Sequence, residues 1–231
     1  MRDGDIDDIL KRSAAAKPDV DPALLARVSE SLGATLQPVR PLPSSGVLAG
    51  GLFLICAVVA IAGAMLLGPH GIQKMSTAEI GLIFPVLGLL IGLGAAMCVA
   101  ETIPGSRRPA APWVLGVGGC AALIAVFGGL SHDYGTERFV AQGMTCLTAG
   151  LALAIPVAIG AWWLLSRGFA VNPVAAGWAK GALAGLAGVT MLELHCPNFE
   201  APHVMVWHIA VIPISGAVGA MVGRMNASGS G

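Results

Sequence analysis

Six long runs of apolar residues dominate the chain after its first 45 residues. A helix that crosses a lipid bilayer needs about 20 predominantly apolar residues, and each of these runs reaches that length. The pattern therefore predicts an all-α membrane protein with six transmembrane helices. The predicted spans are Gly46–Gly68, Ile80–Ala100, Pro112–Leu130, Gly143–Leu165, Pro173–Leu194 and Val204–Gly223.

The fifth predicted span is the least regular of the six, because Lys180 interrupts its apolar sequence. A lysine a few turns inside one end of a span can extend its ammonium group back toward the membrane surface. We therefore keep this segment as a span and expect Lys180 to reach toward that surface.

The first 45 residues carry a different, amphipathic pattern. Asp21 is a predicted N-cap, and Pro22 suits the first position of the helix that follows. Apolar residues recur at helical spacing both in this helix and in a shorter segment before it. They are Ile6, Ile9 and Leu10 in the first segment and Leu24, Leu25, Val28 and Leu32 in the second. The sequence thus predicts a helical tail at 1–45, which ends in a proline-rich linker, a membrane domain at 46–224 and a flexible end at 225–231.

Two short amphipathic helices cannot bury a core of their own, so the tail needs a surface to cover its apolar side chains. That surface is the membrane, the cytoplasmic ends of the spans or a cytosolic partner protein. Helices that lie on membranes usually carry a polar face rich in lysine and arginine. The tail has six basic and seven acidic residues, which favours the protein partner.

Composition and charge support membrane residence and argue against nucleic acid as a direct partner. Apolar residues make up 55% of the chain and charged residues only 11%, whereas soluble domains have about a quarter charged residues. The formal net charge is zero, and binding to phosphate backbones requires a basic surface.

The distribution of lysine and arginine predicts the orientation of the spans. Positive residues concentrate in cytoplasmic segments, and a cytoplasmic N-terminus leaves only Lys74 and Arg138 on the outer side. We therefore expect both termini in the cytoplasm. The inner segments then hold Arg2, Lys11, Arg12, Lys17, Arg27, Arg40, Arg107, Arg108, Arg167, Lys180 and Arg224.

Candidate chemistry gathers at the predicted outer face. His195, Cys196, His203 and His208 fall within fourteen residues, and Cys146 begins the fourth span at the same depth. Thiolate and imidazole are the preferred ligands of soft and borderline metals. The two cysteines can instead form a disulfide in an oxidising compartment, and histidines at a membrane boundary are often interfacial anchors. By spacing alone all three interpretations stay open.

The sequence contains no P-loop, H-E-x-x-H motif, nucleophile elbow or C-x-x-C pair. We therefore predict that the protein is not an enzyme. Two other functions remain as alternatives. One is a membrane thiol oxidoreductase that uses Cys146 and Cys196, and the other is a small metal- or haem-binding transporter that uses His195, His203 and His208.

Several motifs in the second half of the chain resemble the NrsF (DUF1109) family. They are Cys146 followed by small residues and Pro156, the segment Leu164-Leu-Ser-Arg-Gly168, the triplet His195-Cys196-Pro197 and the pair Trp207-His208. The resemblance implies a six-helix anti-sigma factor of the bacterial inner membrane, a negative regulator of an extracytoplasmic-function sigma factor. The tail would then hold the sigma factor away from RNA polymerase.

The resemblance also implies a role for the two cysteines. Cys146 and Cys196 would take part in sensing heavy metal or oxidative stress at the periplasmic face, where a metal ion is the candidate ligand. His195, His203 and His208 would be accessory ligands or would tune thiolate formation. A zinc switch in the tail is excluded, because residues 1–45 contain neither histidine nor cysteine.

Overall fold

The computed structural model describes residues 8, 11, 21–35, 42–106, 110–130, 134–136 and 139–228. The chain divides into two compact units, Met1–Pro41 and Leu42–Gly231. Within the described residues the structure is helical and contains no strand, as the hydrophobic pattern predicts.

The first unit contains the helix α1, Pro22–Thr35. The side chain of Asp21 accepts a hydrogen bond from the backbone N–H of Ala23 at 2.9 Å, which stabilises the start of the helix. The apolar side chains of this helix are exposed: Leu24 by 45%, Val28 by 47% and Leu32 by 60%. Ile6, Ile9 and Leu10 lie outside the described residues.

The second unit contains six helical segments that are long and apolar enough to cross a membrane, and the predicted six-span architecture is confirmed. The last span begins as one helical turn, passes through a π-helical turn at Val204–His208 and continues as a regular helix. The elements are α2 Ser45–Leu67, α3 Thr77–Thr102, α4 Pro112–Leu130, α5 Phe139–Leu164, α6 Pro173–His195, α7 Ala201–His203 and α8 Ile209–Ser228.

The boundaries differ from the predicted ones by up to five residues, at starts and at ends of the spans. The helix α5 begins at Phe139, four residues before the predicted Gly143, so Cys146 lies two turns inside it. The helix α3 begins at Thr77, because Ser76 and Glu79 form a capping box that satisfies the first backbone donors. Apolar runs locate the membrane-embedded part, whereas capping residues set where the helix begins.

The helix α6 is the centre of the bundle and packs against α2, α3, α4, α5 and α8. Its contact with α8 is made through small residues, because Gly177 lies against the backbone of Gly219 and Gly181 against that of Ser215. Any side chain at these positions would meet the opposing main chain. Such close approach of backbones is the usual way in which membrane helices associate.

The connection between α2 and α3 closes over the end of α6. The backbone N–H groups of Gly71 and Ile72 both donate to the carbonyl oxygen of Leu194, at 3.1 and 3.2 Å. Lys74 donates through Nζ to the carbonyl of Pro197 at 3.4 Å. The bonds to Leu194 satisfy a carbonyl that the helix end leaves free, and the bond from Lys74 holds the segment that follows Cys196.

Candidate metal centre

Two cysteines and two histidines come together at the end of the bundle where α6 ends and α7 begins. Each of Cys146, Cys196, His203 and His208 offers one ligand atom, and these four atoms all lie within 4.8 Å of one another. The two sulfur atoms are 3.5 Å apart, and Sγ of Cys196 is 3.6 Å from Nε2 of His203. We call these four residues the Cys/His cluster.

Three separate parts of the chain contribute to the Cys/His cluster. Cys146 comes from α5, Cys196 caps the C-terminal end of α6, and the two histidines come from the first turns of the last span. The side chain of Asn198 links the connecting loop to the start of α5, because its Nδ2 donates to Oε1 of Gln142 at 2.9 Å. This bond holds the loop that carries Cys196 against the helix that carries Cys146.

The π-helical turn places both histidines on one side of the last span. His203 and His208 are five residues apart, and five residues of regular α-helix rotate by about 500°, which would leave them about 140° apart. In the π-helical turn the backbone N–H of Ile209 donates to the carbonyl of Val204, five residues earlier. The wider turn reduces that angle, and the two imidazole rings meet edge to face with centroids 5.2 Å apart.

Trp207 in the π-helical turn packs against the first turns of α5. The indole of Trp207 packs against Phe139, with ring centroids 5.4 Å apart. It also lies directly on Gly143, where any side chain would overlap the indole ring. The glycine therefore allows α5 to approach the π-helical turn closely enough for Cys146 to reach the histidines.

Glu193 is the hydrogen-bond partner of His208. Its Oε1 lies 2.7 Å from Nδ1 of His208, and both side chains are fully buried. The bond leaves Nε2 of His208 for the cluster, and that buried atom has no hydrogen-bond partner among the described residues. A carboxylate that binds the far nitrogen of a metal-ligating histidine is a recurrent arrangement, because it fixes the ring and makes its other nitrogen a better ligand.

The hydrogen bond with Cys146 and burial both raise the pKa of the Cys196 thiol, while the contact with His203 acts in the opposite direction. Cys196 therefore holds its proton at neutral pH. A metal ion would replace this proton, since thiolate is the form that binds metals.

The residues present fit a tetrahedral metal ion with two sulfur and two nitrogen ligands. Given typical bonds of about 2.3 Å to sulfur and 2.0–2.1 Å to nitrogen, ligand atoms around tetrahedral zinc lie about 3.3–3.8 Å from one another. The distances of 3.5 Å between the sulfurs and 3.6 Å from Cys196 to His203 already fall in this range. The remaining separations, up to 4.8 Å, would need to shorten by about 1 Å.

The structure separates His195 from the other candidate ligands. Its Nδ1 lies 2.7 Å from the carbonyl oxygen of Gly68, and its ring is 6.0 Å from that of His70. His195 thus ties α6 to the end of α2 and has no ligand atom in the Cys/His cluster. The sequence assigned no role to Glu193, because Glu193 and His208 lie on different spans and their spacing along the chain does not predict a contact. It also gave no sign of the π-helical turn.

A scan of protein-family models matches residues 32–227 to the NrsF model, described as negative regulator of sigma F. Among curated proteins, the chain is similar to a "Probable anti-sigma-F factor NrsF" of Azospira oryzae (strain ATCC BAA-33 / DSM 13638 / PS), with 38% identity over 53 residues. That match covers 23% of this chain and 25% of the relative, so the aligned part spans about a quarter of the relative's length. No solved structure matches the chain.

Proposed function

This chain belongs to the NrsF family, the negative regulators of sigma F, and we propose that it is an anti-sigma factor of the bacterial inner membrane. In this proposal it regulates by binding and not by catalysis. Its partner is an extracytoplasmic-function sigma factor, which the tail holds at the membrane. The Cys/His cluster acts as the sensor that relieves this binding under metal or oxidative stress.

The observation that carries the sensing proposal is the set of four ligand atoms within 4.8 Å. Two sulfurs and two imidazoles suit a soft or borderline divalent ion such as Zn²⁺ or Cd²⁺. The hydrogen bond that Nδ1 of His208 donates to Glu193 supports the same assignment, because it prepares one imidazole as a ligand. The clustering and this bond together favour metal over a purely structural role.

Metal binding offers a physical route from the sensor to the rest of the bundle. The ligands belong to α5, the end of α6 and the start of the last span, so a shortening of their separations must move these elements relative to one another. The helices meet through glycine-lined backbone contacts, which transmit displacements because no flexible side chain absorbs them. We propose that this movement changes how the tail is presented.

The tail supplies the surface for the sigma factor. The side chains of Leu24, Val28 and Leu32 are each about half exposed on one face of α1. Burial of such side chains against a partner contributes about 1.5–3 kcal/mol each. An exposed apolar stripe on a short helix is the usual form of a segment that docks in a groove of another protein.

The excess of positive residues in the predicted inner segments supports the orientation of the protein in the membrane. With the N-terminus inside, the tail meets cytoplasmic proteins and the Cys/His cluster faces the periplasm. A sensor and a docking surface on opposite sides of the membrane fit a protein that reports an outside signal to transcription.

A sigma-dependent reporter gene in cells that carry the full-length protein tests the proposal. Deletion of residues 1–36 should raise reporter output without stress, because the docking surface is lost. The double substitution Cys146→Ser and Cys196→Ser should keep the reporter repressed when Cd²⁺ is added. Unchanged output in the first experiment contradicts the anti-sigma role, and a normal response in the second contradicts sensing by these cysteines.

The separation of 3.5 Å between the two sulfurs also favours a second form of sensing. A two-electron oxidant would join the sulfurs in a disulfide, with loss of both thiol protons, and a disulfide bond is about 2.05 Å long. The sulfurs would therefore have to approach by about 1.5 Å. Mass spectrometry of the protein after mild peroxide treatment detects this reaction as the loss of two hydrogens.

A further inference from the structure

A cavity of about 520 Å³ lies between α5, α6 and α8, in the half of the bundle away from the Cys/His cluster. It begins at Pro173, the first residue of α6, and reaches Ala184, eleven residues further along. At 1.5 Å per residue this distance is about 16 Å. The cavity therefore runs from one end of the bundle toward its middle.

Its walls are almost entirely apolar. The small lining residues come mainly from α6 and α8, and the larger aliphatic and aromatic ones mainly from α5 and α8. Among the described residues that line it, neither aspartate nor glutamate occurs. The larger lining residues include Leu151, Ile155, Trp162, Val218 and Val222.

Lys180 is the single charged side chain among the lining residues that the structure describes. Its Nζ lies 5.3 Å from the ring centroid of Trp162, so the indole offers a cation–π contact. Within the described parts of the chain no carboxylate forms an ion pair with this ammonium group. A lysine inside a membrane span is costly and normally contacts an anion or marks a ligand path.

Ser215 brings a second unsatisfied polar group to the same cavity. Its side chain is 8% exposed, and its Oγ has no hydrogen-bond partner in the described structure. A serine in a membrane helix usually bonds to a carbonyl of the preceding turn. Gly181, the neighbour of Lys180, packs on the backbone of Ser215, so the backbones of Lys180 and Ser215 lie at about the same level of the bundle.

We propose that this cavity binds one long-chain fatty acid, whose carboxylate contacts Nζ of Lys180 and Oγ of Ser215. A carboxylate has two oxygens, so it can accept from the ammonium and from the hydroxyl together. The alkyl chain lies along the apolar walls. The volume falls in the range of about 300–1,000 Å³ that is usual for small-molecule sites.

The depth of Lys180 favours a fatty acid over a bilayer phospholipid. The backbone of Lys180 lies seven positions after Pro173, about 10 Å along the helix axis, and its ammonium lies beside Trp162 near the same end of the bundle. The phosphate of a phospholipid remains in the headgroup region, outside the hydrocarbon core. A free carboxylate on a single chain can enter the cavity to the level of Lys180.

Binding of radiolabelled palmitate to the full-length protein in phosphatidylcholine nanodiscs tests the proposal. We expect saturable binding of one palmitate per protein. Lys180→Met should weaken it by about tenfold or more, because a charge-assisted hydrogen bond is lost. The matched control Lys74→Met removes a lysine from the loop between α2 and α3 and should leave palmitate binding unchanged.

A competition experiment on the wild-type protein keeps the test independent of any folding defect in the variant. Hexadecanol has the same chain length without the charge and should displace palmitate about tenfold more weakly than unlabelled palmitate does. Equal competition by hexadecanol, unchanged binding by Lys180→Met or the absence of saturable binding would each overturn the proposal. Displacement by equimolar phosphatidylglycerol would assign the cavity to a bilayer phospholipid and overturn the fatty-acid assignment.

Discussion

Nδ1 of His208 lies 2.7 Å from Oε1 of Glu193, and the two fully buried side chains belong to different membrane spans. Burial of this pair has an electrostatic cost that only specific partners offset. The pair orients the remaining nitrogen of His208 toward two thiols and a second imidazole. The hydrogen bond between His208 and Glu193 therefore connects the end of α6 to the π-helical turn.

Glu193→Gln should weaken Zn²⁺ binding by about 10- to 100-fold, the usual effect of the loss of a hydrogen-bond partner of a metal ligand. Glutamine keeps the size of the side chain but removes the negative charge that makes His208 a stronger ligand. Competition with a chromogenic chelator on the purified protein measures the affinity. Glu200→Gln is the matched control, because the Glu200 side chain has no ligand atom in the Cys/His cluster and accepts a long bond from Nδ2 of Asn198 at 3.5 Å. Equal affinities of the two variants would contradict the role of Glu193.

His203 and His195, two of the ligands predicted from the sequence, should differ in their effect on metal binding. His203→Ala removes a ligand atom 3.6 Å from Sγ of Cys196, so the metal-to-protein ratio after dialysis against Zn²⁺ should fall well below one. His195→Ala removes only the contact with the carbonyl of Gly68 and should retain the metal. Equal metal loss in both variants would show that the set of four ligands is wrong.

The two cysteines of the Cys/His cluster should contribute to the thiolate-to-Cd²⁺ absorption of the metal-loaded protein, whereas a cysteine outside the cluster should not. Cys146→Ser and Cys196→Ser should each reduce the charge-transfer band of the Cd²⁺-loaded protein, since each removes one of the two thiolate ligands. Cys120→Ser changes a thiol in α4 that lies outside the Cys/His cluster and should leave the band intact. A band that persists in the double variant of Cys146 and Cys196 would place the Cd²⁺ elsewhere.

The apolar stripe of α1 should be required for repression but not for stability of the membrane domain. Val28→Asp places a charge on the exposed stripe, and we expect the sigma-dependent reporter to rise several-fold because a charge in an apolar interface is costly. Ala26→Asp adds the same charge to the opposite face of the helix and should keep repression. Reporter output together with the amount of protein in the membrane fraction decides the outcome.

The close glycine contacts between α6 and α8 should be required for the full stability of the membrane domain. Gly181→Ala places a methyl group against the carbonyl oxygen of Ser215, and overpacking of this kind costs about 1–3 kcal/mol. Gly92→Ala is the matched control, because a methyl group there meets no atom within 4 Å and alanine is the better helix former. Thermal unfolding in detergent should show a lower midpoint for the first variant and an equal or higher one for the second.

The helix α6 shows what the hydrophobic pattern alone does not predict. The sequence makes it the least regular span, because Lys180 and many small residues interrupt its apolar run. In the structure it is the central helix and packs on five neighbours. A helix that is covered by protein does not face lipid, so it can carry small and polar residues that a peripheral span excludes.

The sequence by itself determined the six spans, because the transfer of about 20 apolar residues into a bilayer is a local property of each segment. It also determined the capping of α1 by Asp21, which depends on neighbouring backbone groups. The sequence also indicated which residue types form the cluster, since four of the five candidate ligands fall within fourteen residues of one another.

Only the tertiary structure decided which of these residues meet. Cys146 and Cys196 are fifty positions apart, and their approach depends on the packing of α5 against α6 at Gly150 and Gly188. The π-helical turn brings His203 and His208 together, whereas His195 is held by Gly68. Such contacts are properties of the packed bundle, because they depend on distances between helices that no single segment of sequence encodes.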